Sequence, residues 1–73
     1  MTELVVRNEI RQWRLARAEM TQAELARLCG VTRQTIIALE AGKYSPSLEL
    51  AFKLALALGR RFDEVFRYED KEM

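Results

Sequence analysis

Arg33 and Gln34 stand side by side behind Thr32 and ahead of Thr35-Ile36-Ile37-Ala38-Leu39, a run whose apolar positions recur at helical spacing. A guanidinium can donate two hydrogen bonds to guanine O6 and N7, and a carboxamide can pair bidentately with adenine N6 and N7. Such a pair discriminates against the wrong base by about 1–3 kcal/mol. On a helix wheel at 100° per residue, Ile36 and Leu39 share one face, with Thr32 and Glu40 at its edges. Gln34, Ile37, Ala38 and Ala41 point the other way, and Arg33 takes the exposed first position. Ile37 and Ala38 thus set aliphatic groups beside the two polar readers, where a thymine methyl is the natural partner; a side pocket is the alternative place for Ile37. Arg33, Gln34, Ile37 and Ala38 are the candidate base contacts.

A second set suits phosphate. Thr21 and Gln22 open the preceding helix, where free backbone N–H groups make a ready anion site. Thr35, Lys43 and Tyr44 flank the reading helix, and Lys43 also reads as an ordinary solvated loop residue. Contacts of this kind fix register rather than sequence. The elements that must hold both sets are two short helices. Thr21 with Glu24 three residues on has the form of a capping box. Leu25 and Leu28 are expected on one face, and Ala26 is small enough for a second helix to approach closely. Gly30 stands where a helix ends in a left-handed residue. Thr32 restarts the chain as a helix and Gly42 stops it. Helix, glycine turn and helix over residues 21–42 form the plan of a helix-turn-helix.

The ordered positions Thr21-Gln22, Leu25-Ala26, Gly30-Val31-Thr32-Arg33-Gln34-Thr35-Ile36, Leu39-Glu40 and Gly42 resemble the Cro/lambda-repressor-like, xenobiotic-response-element-type helix-turn-helix regulators. Lys43-Tyr44-Ser45-Pro46-Ser47-Leu48, Ala51 and Phe62-Asp63-Glu64-Val65-Phe66 are similar to the small stand-alone members, of the cytolysin-operon-repressor type. The resemblance covers roughly residues 8–68. It implies a mainly α, five-helix domain, with a short antiparallel two-stranded sheet closing it from the N- and C-terminal segments. It further implies sequence-specific binding to double-stranded DNA, most often as a repressor, with Gln22 gripping the DNA backbone. In the family the glutamate at the position of Glu40 holds an arginine of the first helix. Arg14 is the first candidate and Arg17 the second, because Ala18-Glu19 stands where the family has a glycine and a connection one residue shorter.

Around this unit, Leu4-Val5-Val6 has strand composition, and Val65-Phe66-Arg67-Tyr68-Glu69 is its available partner; a frayed N-terminus is the alternative. Asn8 can cap a first helix running to about Ala18, with Ile10, Trp13, Arg14 and Arg17 giving it an amphipathic surface. Trp13 reads as a core residue. Lys43 to Pro46 form a polar loop, and Ser47 caps a helix over Leu48–Leu58 whose only charged residues are Glu49 and Lys53. Leu48, Ala51, Phe52, Ala55 and Leu58 make one apolar stripe, and Leu50, Leu54 and Ala57 a second. A helix apolar nearly all round is buried on more than one side, so this one is expected at the centre. Gly59 ends it, and one short turn follows at Phe62 to Phe66. Leu58, Phe62, Val65 and Phe66 are the dimer-interface candidates, in a C-terminal region 58–69 through which the resembling regulators also dimerise; completion of the monomer's core is the other use for them.

With 73 residues the chain is one domain, 1–73. A chain of this size buries only about 60% of its unfolded surface, so its core is thin. The longest apolar run, Leu54 to Leu58, is far short of the roughly 20 residues of a spanning helix, and the N-terminus lacks the plan of a signal peptide. A soluble, cytoplasmic protein without membrane contact is expected. Cys29 is the single cysteine and histidine is absent, which excludes an internal disulfide and nearly excludes a zinc site. No metal and no cofactor are expected, and Cys29 reads as a small buried residue, with a redox-sensing thiol as the alternative. The net charge of +1 conceals an asymmetry: residues 1–61 carry ten Lys/Arg against six Asp/Glu, and residues 62–73 two against five. A basic body with an acidic tail fits a protein that presents one face to phosphate, although solubility also accounts for the tail. No nucleophile–base pair, carboxylate dyad or phosphate loop points to an enzyme. A homodimer on a near-palindromic operator is the first reading, because one recognition helix reads few base pairs. A protein-interaction module, antitoxin-like or coactivator-like, is the other. Either way, a second protein is a candidate route for signal input.

Overall fold

Three hydroxyl side chains start three of the helices in the computed structural model, which describes residues 4–70. Thr21 Oγ1 accepts the Glu24 N–H at 3.0 Å, Thr32 Oγ1 that of Thr35 at 3.2 Å, and Ser47 Oγ that of Leu50 at 3.1 Å. Each bond satisfies one of the orphan donors of a helix start. The elements run β1 (Leu4–Asn8), α1 (Ile10–Ala16), α2 (Gln22–Cys29), α3 (Arg33–Glu40), α4 (Leu48–Leu58), α5 (Phe62–Val65) and β2 (Phe66–Asp70). The fold is mainly α, with five helices and one two-stranded sheet among the described residues. Gly30 ends α2 at φ +70°, a conformation a Cβ disfavours. The N–H of Val31 returns to the Ala26 carbonyl at 3.0 Å, the bond of a Schellman ending.

β1 and β2 pair antiparallel, from Leu4 opposite Asp70 to Asn8 opposite Phe66. The expected sheet is therefore present, with its second strand beginning at Phe66 because Val65 still belongs to α5. Every helix contributes at least one fully buried side chain, namely Ile10, Leu25, Ile36, Leu39, Leu54 or Val65. α4 packs against α1, α2 and α5, as a central helix should. No helix among the described residues is long and apolar enough to cross a membrane.

Five expectations need correction. The capping box at α2 is half formed: the Glu24 carboxylate turns to Arg27 Nε at 3.1 Å, a charge partner one turn on that outcompetes a backbone N–H. Leu28 is exposed, because the buried face of α2 is Leu25, Ala26 and Cys29 and Leu28 falls beyond its edge. α1 stops at Ala16 rather than Ala18, where Ala18 and Glu19 both turn left-handed at φ +53°. The two stripes of α4 collapse into one buried face of Leu50, Ala51, Leu54, Ala55 and Leu58, leaving Leu48 and Phe52 on the surface. Of the dimer-interface candidates, Leu58, Val65 and Phe66 lie in the chain's own core and only Phe62 keeps exposed surface. The short α5 folds back over α4 and spends those groups internally.

Candidate nucleic-acid interface

The first turn of α3 presents Arg33 and Gln34 to solvent, while Ile36 and Leu39 on its inner face are wholly buried. Ile37 and Ala38 are half-buried, between the outward placement and the side pocket. Thr35 is half-buried as well, with its Oγ1 3.0 Å from that of Thr32. α3 packs against α2, and small buried side chains at Ala26 and Cys29 permit the approach. Burial raises the Cys29 thiol above its ordinary pKa, so the group is held neutral as a packing residue.

The far end of α3 is fastened to the scaffold by charge. Arg14 Nε meets Glu40 Oε2 at 2.7 Å and its Nη2 meets Oε1 at 3.1 Å. A guanidinium fork matches a carboxylate in this way. The two side chains keep only 9% and 7% of their surface exposed. The third arm of Arg14 donates to the Met20 carbonyl at 2.8 Å, so one side chain joins α1, the entry to α2 and the end of α3. Arg14 is thus the helix-one partner of Glu40. The left-handed residues Ala18 and Glu19 absorb the extra length of the connection and leave that pairing in register. Arg17 goes elsewhere: its guanidinium lies against Gly59, where an added Cβ would collide with Nη1. A cation there suits the C-terminal end of α4.

Gln22 stands between two of these groups. Its Nε2 donates to Glu40 Oε1 at 3.2 Å, and its Oε1 accepts from Arg33 Nη2 at 3.5 Å. Of the expected phosphate set, Gln22 therefore touches side chains at both ends of α3, Thr21 precedes it as the cap of α2, and the exposed Lys43 and Tyr44 follow the end of α3 in the chain. The acidic side chains nearby are neutralised, Glu40 by Arg14 and Glu24 by Arg27. Arg27 also holds the Glu24 carboxyl below the usual carboxylate range. Among the described residues no cluster of His, Cys, Asp and Glu could hold a metal ion.

Asn8 was legible only as a helix cap. Its Oδ1 does accept the Ile10 N–H at 3.2 Å, but its Nδ2 donates to the Leu39 carbonyl at 2.9 Å and braces the end of α3. Trp13, expected in the core, is half-buried and donates its indole N–H to the Glu64 carbonyl at 2.9 Å. The Arg60 guanidinium covers its ring at 4.0 Å. Neither long-range bond leaves a mark in local sequence.

A helix-turn-helix family model of the Cro/C1 type matches residues 10–65, from the start of α1 to the end of α5. The chain belongs to the helix-turn-helix family. It is 49% identical over 67 residues to an uncharacterized HTH-type transcriptional regulator of Methanocaldococcus jannaschii, covering 92% of this chain and 100% of that protein. A similar regulator of Archaeoglobus fulgidus is 47% identical over 68 residues, covering 93% and 96%. The HTH-type regulator YgzD of Bacillus subtilis is 39% identical over 66 residues, covering 90% and 98%. The matched residues include α2 and α3 together with the Gly30 turn between them.

Proposed function

We propose that the chain is a sequence-specific, double-stranded-DNA-binding transcriptional regulator that works as a homodimeric repressor in the cytoplasm, with α3 in the major groove. One observation carries the reading. A pair of bidentate hydrogen-bonding side chains, Arg33 and Gln34, is exposed on the first turn of a helix whose opposite face is sealed by Ile36 and Leu39. The N-terminal part of a recognition helix is what reaches base edges. Ile37 and Ala38 add apolar contact beside them. Thr21, Gln22, Thr35, Lys43 and Tyr44 grip phosphates on either side and set the register.

What the fold leaves uncovered supports α4 as the dimer face. Leu48, Phe52 and Leu56, one turn apart on α4, remain 67%, 51% and 80% exposed, and Phe62 remains 36% exposed. The Phe52 and Phe62 rings lie 5.0 Å apart, and Phe62 and Phe66 5.3 Å apart. Beside them runs an apolar groove of about 500 Å³ lined in part by Leu48, Ala51, Phe62 and Phe66. The proposed dimer would seat a second copy there and read a near-palindrome whose half-sites lie roughly 34 Å apart.

Selection of bound duplexes from a random library tests the function. The expected result is a two-fold-related consensus whose affinity falls steeply with salt. Gln34→Ala should erase preference at one defined base pair per half-site. Recovery of no consensus, with wild-type and variant binding all duplexes alike, sinks the reading.

A further inference from the structure

We infer that Asn8 is a positioning residue for base reading: by holding the Leu39 carbonyl from the end of β1, it fixes the last turn of α3 and so the tilt at which Arg33 and Gln34 meet DNA. The inference rests on the DNA-reading role proposed above. Asn8 Nδ2 donates to the Leu39 carbonyl at 2.9 Å, from 31 residues away in sequence. That carbonyl is one of the last four of α3, which have no partner inside their own helix. It also accepts the Gly42 N–H at 3.1 Å, so both of its lone pairs are engaged. The carboxamide faces it in one sense only, because its Oδ1 accepts the Ile10 N–H at 3.2 Å. Reversal would set N–H against N–H at Ile10 and oxygen against oxygen at Leu39. The backbone that carries the amide is held as well. Asn8 stands opposite Phe66 in the sheet, and the next N–H, of Glu9, bonds the Val65 carbonyl at 2.9 Å.

The contact differs from the other fastenings of α3 in what it grips. Ile36 and Leu39 anchor the helix by apolar burial, which is non-directional and does not by itself fix a tilt. Arg14 holds the far end of the Glu40 side chain, whose χ rotations let the main chain shift beneath it. Asn8 holds the main chain itself, through a bond whose strength depends on its angle. With eight residues α3 is about 12 Å long, and a displacement of its last turn is carried along the rod to its first. Arg33 and Gln34 stand on that first turn, and bidentate pairing with base edges needs their planar groups presented in one orientation.

The test separates the brace from the helix cap that the same side chain supplies. Asn8→Ser and Asn8→Asp both keep an oxygen for the Ile10 N–H, and both residues are favoured caps. Serine is too short to cap α1 and reach Leu39 together, and an ionised aspartate has no donor. Trp13→Phe is the control, since it removes the indole bond to the Glu64 carbonyl, a long-range bond of α1 to α5 rather than to α3. Duplexes selected from a random library by the wild-type chain are set against their single-base-pair variants in competition binding, below the melting temperature of every chain used. Arg33→Ala and Gln34→Ala identify the base pairs that the first turn of α3 reads. Asn8→Ser and Asn8→Asp are expected to lose about fivefold or more of the discrimination at those pairs together. The salt dependence of binding should keep its slope, since no phosphate contact is removed, and Trp13→Phe should discriminate as the wild type does. Undiminished discrimination in either folded Asn8 variant overturns the inference. A shallower salt slope also overturns it, by making Asn8 a phosphate contact, and so does an equal loss in Trp13→Phe, by making the loss a general effect of destabilisation. Failure of both Asn8 variants to fold overturns it as well, because Asn8 would then serve stability alone. A wild-type chain with no consensus overturns the DNA-reading function itself, so the two failures are distinguishable.

Discussion

At the residue scale, the hinge of the molecule is the Arg14–Glu40 pair. Two charges with less than a tenth of their surface exposed are tolerable only together, and removing one leaves the other buried and uncompensated. Glu40→Ala is expected to cost about 3–5 kcal/mol of unfolding free energy by urea titration. An unchanged midpoint would show that Glu40 is a surface group. Cys29 gives a second test. Its thiol pKa is raised by burial, so the folded state favours the neutral thiol. Its contribution is full below the ordinary thiol pKa of about 8.5 and is lost as pH rises above that value. Alkylation at pH 8 should be much slower on the folded chain than in denaturant; equal rates would mean an accessible thiol. The helix caps were readable in advance, because Thr21, Thr32 and Ser47 bond backbone groups three residues away. The partner of Glu24 was not, because Arg27 and the Thr21 N–H compete for one carboxylate at the same reach.

At the element scale, the connection between α1 and α2 carries strain that the sequence does not need. Ala18 and Glu19 both sit at φ +53°, where a Cβ costs roughly 1–2 kcal/mol per residue. Replacing Ala18 by glycine removes that cost and adds about 0.5–1 kcal/mol of unfolded-state freedom. Ala18→Gly should therefore stabilise the domain by up to about 1.5 kcal/mol, read from thermal or urea melts, and a lowered melting temperature would refute the strain. The departure from the family spacing was visible as letters, but its absorption into two left-handed residues was not. α4 shows the opposite limit. Its boundaries followed from Ser47 and Gly59, yet a helix with apolar residues on nearly every side does not declare which side is covered. That is decided by α1, α2 and α5 packing on Leu50, Leu54 and Leu58, contacts between segments distant in sequence.

At the scale of the whole molecule, the proposed function gives α3 and the apolar stripe of α4 separate duties. Phe52→Asp or Phe62→Asp should leave a folded chain that sediments as a monomer and has lost tight binding to a two-half-site duplex. Val65→Asp, by contrast, should unfold it. A folded dimer in both phenylalanine variants would move the interface elsewhere. The sheet was foreseen because two β-rich segments had no other partner, and the pairing of Leu4–Asn8 with Phe66–Asp70 also has a consequence in time. During synthesis β1 is made before its partner, so the strand waits with a bare edge while the helices between them are translated. α1 waits too, since Glu9 N–H bonds the Val65 carbonyl and the Trp13 indole bonds that of Glu64. α2 and α3 are neighbours in sequence and can associate early. The nascent chain can thus form the α2–α3 pair before the strand clamp that closes the domain, and the complete fold arrives only once β2 has been made.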